Sequence, residues 1–281
     1  LVQMMSPLSA SKAGAIPPAQ VLVAYGAFTL GSFAVWHLVA DGEFSAILTL
    51  SVMLQTLALA LLAIQVLLSG GVTGISAKTL VMDALALCCR LSSTLWLNGY
   101  LPVDASGDYM YQVFDIVSVG ILAWLLREMF TVRSRTYQAE EDSFPMSPLV
   151  LGAFVLAAVM HGNMNNRPVF DSLWMAGLFL SAIAVLPQLW LITRTGGRVE
   201  SLMSHHIAAM AASSVLSGIF MWHARHDITC HPWFGEFNHA IFAILSAHLL
   251  HLVLLGDFAY YYIKAVITKG FDCRLEILED C

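Results

Sequence analysis

Residues 172–196, SLWMAGLFLSAIAVLPQLWLITRTG, decide the fold. No charge interrupts the run before Arg194, and its apolar part is long enough to cross a hydrocarbon core of roughly 30 Å. Comparable apolar runs recur outward from it, at 20–40, 44–68, 79–98, 109–130, 147–161, 170–192, 205–222 and 239–267. They predict eight membrane helices, because lipid cannot satisfy open backbone groups and helices satisfy their own. The 147–161 run is short for a span. Breakers separate the runs: Gly70-Gly71, Pro102 with Gly107, Pro145 with Pro148, Pro168, Gly196-Gly197, and Pro232 with Gly235.

Composition agrees. Of 281 residues 58% are hydrophobic and 11% charged, with a mean hydropathy of +0.75. Soluble domains run near a quarter charged. A soluble enzyme, a disordered tail and a nucleic-acid binder are excluded together. Thirteen Lys+Arg against nineteen Asp+Glu give a net charge of −6, the wrong sign for a phosphate partner. The five cysteines (Cys88, Cys89, Cys230, Cys273 and Cys281) form neither a disulfide framework nor a CxxC pair.

With eight spans, Lys12, Lys78, Arg127, Arg133, Arg135, Arg194, Arg198, Lys264, Lys269 and Arg274 fall on one side of the membrane. Arg167 and Arg225 fall on the other, with Asp41, Glu43, Asp104, Asp108, Asp227 and Glu236. This asymmetry obeys the positive-inside rule and puts both termini on the basic side. Residues 6–19, SPLSASKAGAIPPA, read either as the remnant of a transit-type presequence or as a loose tail. The expected organisation is a tail and first helix over 1–43, a membrane domain over 44–270 and a tail over 271–281.

Ionisable residues within spans carry the functional signal, since an unpaired charge there costs several kcal/mol. Arg90 lies in DALALCCRLSS (83–93), with Asp83 two turns earlier, Asp115 in the fourth run and Asp257 in the last. Two readings stand: Arg90 binds an anionic group such as a carboxylate, or it forms a structural ion pair with Asp83 or Asp257. The histidines and cysteine of 223–239 are spaced H-x2-H-x3-C-H, which fits no metal site, and no metal is expected. His248 and His251 share a helix face and are the candidates should a haem or chlorophyll be ligated, although no cofactor is predicted. Tyr260, Tyr261 and Tyr262 beside Lys264 suit an interfacial belt. Ser213, Ser214 and Ser217 suit close helix packing rather than hydrolysis, and no enzyme is expected.

Six stretches in order resemble the KDEL receptor family, the ER lumen protein-retaining receptors of PQ-loop-like fold. They are GISAKTLVMDALALCCRL (74–91), RTYQAEEDSF (135–144), residues 172–196 with Pro187-Gln188, SHH (204–206), WHAR (222–225) and LLGDFAYYYIKAVITKG (254–270). The resemblance implies an all-α polytopic bundle, seven receptor-like helices plus one extra N-terminal helix, around a polar cavity. It places Arg90 on the arginine that grips a ligand's C-terminal carboxylate, and Asp257 on the last-helix aspartate. Asp171 falls on an acidic ligand-contacting position and Trp174 on the neighbouring tryptophan. Trp222 and Arg225 fall on a Trp-x-x-Arg that holds ligand acids, with a one-residue shift. The chain departs from the family at Leu48, Gln55 and Ser181, which stand where it has an arginine, its pH-sensing histidine and a glutamate. It departs again across Ser213–Gly218, which replaces donor side chains by small ones.

Three functions follow as expectations. The leading one is a non-catalytic accessory subunit of a large photosynthetic or respiratory complex, in the thylakoid or mitochondrial inner membrane, with other subunits and lipids as partners. The second is a divergent ER/Golgi receptor for the C-terminal retrieval signals of lumenal proteins. The third is a PQ-loop-type transporter of small solutes.

Overall fold

In a computed structural model the described residues are 19–195, 198–199, 201–228, 237–269 and 275–276. Side chains are described up to residue 260, apart from residues 198, 199, 201, 257 and 259. The helices are α1 (Ala19–Ala34), α2 (Ala46–Ser69), α3 (Ala77–Thr94), α4 (Met110–Arg127), α5 (Met146–Met160), α6 (Pro168–Ile183), α7 (Val185–Arg194), α8 (Ser201–His223) and α9 (His239–Lys269). α1 and α4 each run on into a π-helical turn, Val35–Val39 and Glu128–Val132. A two-residue antiparallel pair, Arg198–Val199 with Leu275–Glu276, joins the α7–α8 connection to the segment after α9.

The chain is an all-α polytopic bundle. Helices cover each of the eight apolar runs, with α6 and α7 as one bent rod. By length and composition, five described segments can cross a membrane: Ala19–Val39, Ala46–Ser69, Pro168–Arg194, Leu202–His226 and His239–Gly256. α5 is a shorter apolar helix that packs on α6. α3 carries Lys78, Asp83 and Arg90 and packs between α4 and α6, so neighbouring helices take the place of lipid around its charges.

α2 packs on α8 and α4, α3 on α6, and α8 on α9. Met82, Met175, Leu180 and Ile244 fill the core on one side of the cavity described below. Leu59, Leu122, Leu125 and Leu255 fill it on the other. Gly177 sets the α3–α6 distance. A Cβ there would stand 2.8 Å from the Ala86 carbonyl oxygen and 3.2 Å from the Arg90 nitrogen, so a larger residue would push the helices apart. The bend at Ala184 precedes Pro187, which has no N–H to continue the helical ladder.

α1 sits outside this core. Val21 packs on Leu57 and Leu61 of α2, and the Tyr25 hydroxyl bonds to His205 Nδ1 of α8 at 2.9 Å. Val23, Leu30 and Phe33 are exposed and present an apolar outer face suited to lipid.

Candidate ligand site around Arg90

Arg90 lies one turn from the end of α3, and Asp115 lies one turn from the start of α4. The two helices are consecutive and antiparallel, so both groups reach the same depth. Arg90 Nε donates to Asp115 Oδ2 at 2.8 Å, and Nη2 donates to Asp115 Oδ1. Nη2 also donates to Gln55 Oε1 at 2.9 Å. The Tyr111 ring lies 5.6 Å from the guanidinium carbon. Asp115 is fully buried, whereas the Arg90 side chain keeps 21% of its surface. Among the described residues, Nη1 makes no hydrogen bond.

This geometry corrects the expected ion pair. Arg90 is paired, but with Asp115. Asp83 lies two turns along the same helix, about 10 Å of rise, where side chains no longer face one another. Asp257 lies outside the residues whose side chains are described.

Arg90 lines a cavity of about 80 Å³ between α2, α3, α4, α6, α8 and α9. Gln55, Tyr111, Trp174, Ser181, Ser213, Ser217, His248 and His251 line it. Ser213 donates to the Ser51 carbonyl at 2.7 Å, and Ser214 shares a 3.0 Å bond with His251 Nδ1. Nε2 of His248 is buried without a partner among the described residues. The space is enough for a few water molecules. Among the described residues, no group of three His, Cys, Asp or Glu is placed to hold a metal ion.

Asp171 and Trp174 form the shoulder of this cavity. The Tyr100 hydroxyl donates to Asp171 Oδ1 at 2.7 Å, and the Met164 N–H donates to the same oxygen at 3.2 Å. Burial, and then the Asp171 carboxylate, push the Tyr100 phenol pKa above its ordinary value. The Tyr100 ring lies 6.1 Å from that of Trp174. Asp171 therefore holds the 95–109 loop in place instead of projecting into the cavity. Trp222 and Arg225 stand apart from it. Trp222 is 60% exposed, and Arg225 lies over its ring at 4.5 Å and donates to its carbonyl at 2.6 Å. The pair is self-contained on the surface and does not converge on Arg90.

On the basic side the bundle is closed by a latch. Asp142 accepts from Ser76 Oγ and from the Tyr137 hydroxyl, each at 2.8 Å. Ser76 caps α3 by accepting from the Thr79 N–H. The Gln188 amide accepts from Ser76 N at 2.9 Å and donates to the Gly74 carbonyl at 2.8 Å. Burial, and then the Asp142 contact, raise the Tyr137 phenol pKa. Sequence reasoning missed this latch, although Gln188 belongs to the Pro187-Gln188 pair and residues 135–144 to a family-like stretch.

The model of the ER lumen protein retaining receptor family matches residues 71–225. The chain belongs to this family. The ER lumen protein-retaining receptor erd-2.2 of Caenorhabditis elegans is 28% identical over 224 residues, 78% of this chain and 94% of that one. The receptor of Drosophila melanogaster is 27% identical over 202 residues, 72% and 85% of the two chains. Receptor A of Arabidopsis thaliana is 28% identical over 189 residues, 67% and 80%. These relatives are named as receptors, not as enzymes or subunits of an energy-converting complex. They support the receptor expectation over the accessory-subunit one and give no support to a thylakoid or mitochondrial location. α1 and α2 both precede the residues matched by the family model.

Proposed function

We propose that this chain is a divergent receptor of the ER/Golgi membranes, which recognises the C-terminal carboxylate of lumenal proteins in the Arg90 cavity. The observation that supports the reading is that Arg90, whose Nη1 makes no hydrogen bond among the described residues, lines the same cavity as His248, whose Nε2 has no partner among them. Asp115 and Gln55 occupy the other guanidinium donors and fix its orientation. A carboxylate ligand therefore meets one N–H edge of Arg90 instead of the usual two-pronged fork, and binding is correspondingly weaker. The cavity lies toward the 95–109 loop, on the side poor in Lys and Arg, which suits a lumen-facing site. With Gln55 and Ser181 in its wall, acid enhancement through those two positions is absent.

The saturated ion pair favours a second reading, in which the bundle serves as a scaffold and binds no peptide. Calorimetry on the purified full chain separates the two. A peptide ending in a free carboxylate should bind at least tenfold more tightly than the same peptide ending in an amide. Equal binding, or none, would remove the receptor reading. Native purification in a large assembly would then support the scaffold.

A further inference from the structure

Five carboxyl side chains are buried among the described residues: Asp83, Asp115, Glu128, Asp142 and Asp171. Four have partners. Asp115 has Arg90, Glu128 has Arg127 and Arg133, Asp142 has Ser76 and Tyr137, and Asp171 has Tyr100. Asp83 is 4% exposed and makes neither an ion pair nor a hydrogen bond among the described residues.

Asp83 borders a second cavity, of about 20 Å³, between α3, α7, α8 and α9. Its polar walls are Thr79, Ser181, Gln188, His206 and His251. That space holds one water. His206 gives its Nδ1–H to the Ala58 carbonyl at 2.9 Å, which leaves Nε2 as an acceptor. His251 lines this cavity and the Arg90 cavity alike. Among the described residues, no lysine or arginine lines this cavity. On its own helix, Lys78 bonds to the Phe144 carbonyl and Arg90 is held by Asp115. α6 and α7 contribute Ser181 and Gln188, which do not titrate. α8 contributes His206, and its His205 bonds instead to Tyr25. α9 contributes His251.

We propose that Asp83 is a proton-binding site in the middle of the membrane, linked through one water to His206 and His251. An ionised carboxylate without a counter-cation at this depth costs several kcal/mol, and a bound proton removes that cost. On transfer the carboxyl O–H bond breaks, a histidine Nε2–H bond forms, and carboxylate and imidazolium are left facing each other. The site shares His251 with the Arg90 cavity but does not rest on the proposed peptide binding there.

Infrared difference spectroscopy of the full chain in nanodiscs of neutral lipid tests this. The carboxylic-acid C=O band should be present at neutral pH, fade on alkaline titration, and be missing from Asp83→Asn. His206→Phe or His251→Phe should keep the band and move its titration midpoint, a tenfold or greater change in proton affinity. A neutral-pH band unchanged in Asp83→Asn overturns the proposal, as does loss of a carboxylate band in its place. Asp83→Leu supplies a second readout: it should fold with a melting temperature at or above the parent's. A large loss of stability would reveal a partner for Asp83 and overturn the assignment.

Discussion

The basic-side latch and the membrane interior treat polar groups in opposite ways. In the latch Ser76, Tyr137, Asp142 and Gln188 are cross-bonded, and the chain from residue 133 to 144 lies pinned on the α2–α3 turn. In the interior, among the described residues, Arg90 keeps a free edge, His248 Nε2 has no partner and Asp83 makes no hydrogen bond or ion pair. A saturated network fixes shape, whereas groups left unsatisfied at a cavity wall call for a further partner, which the proposals above supply. On the proposals above, the difference sets a structural end against a middle that binds a ligand and a proton.

The largest expected effect comes from breaking the one interior pair that behaves like the latch. Arg90→Ala strands the fully buried Asp115 and should cost about 3–5 kcal/mol, read by denaturant-titrated unfolding in micelles. Replacing both residues, Arg90→Leu with Asp115→Leu, should recover most of that loss. If the single variant is as stable as the parent, Arg90 is a ligand arm and nothing more. Next comes Gly177→Leu, whose side chain must enter the α3–α6 contact. It should lower stability by about 1–3 kcal/mol and close the Arg90 cavity, which solvent access to Trp174 would report.

Within the latch, Ser76→Ala removes the cap of α3 and should cost about 1 kcal/mol in the same unfolding assay. A loss several times larger would mean that the latch carries the bundle. The smallest effect concerns pH. The Tyr100 and Tyr137 phenols have folded-state pKa values above their unfolded value, so the folded chain holds those protons longer. Their contribution is complete below about pH 10 and fades as pH rises beyond it. Tyr100→Phe with Tyr137→Phe should flatten that alkaline limb. An unchanged limb would place the effect on other groups.

The eight helical runs are legible in the sequence because lipid imposes a length and a composition on each. Even the short 147–161 run forms a helix, Met146–Met160. Arg90 is legible as a special residue because charge is rare in such runs. Its partner is not legible from shared face alone, which pointed to Asp83. The deciding quantity is depth: in consecutive antiparallel helices, residues equally far from the connecting loop meet. The latch is hidden for another reason. Ser76 joins Asp142 across 66 positions and Gln188 across 112, and no local pattern encodes such distances. Trp222 and Arg225 show the reverse error, a motif that matches while its side chains turn to each other.

The bond between Tyr25 and His205 links positions 180 residues apart. A ribosome adding about 5–20 residues per second needs on the order of ten seconds or more to make the second partner after the first. α1 must therefore wait in the bilayer while every helix from α2 to α7 is made. During that interval its apolar contacts with α2 are what can hold it. The arrival of α8 then fastens the earliest described helix, so this hydroxyl–imidazole bond acts as a timestamp on assembly. It closes when nearly the whole bundle has been delivered.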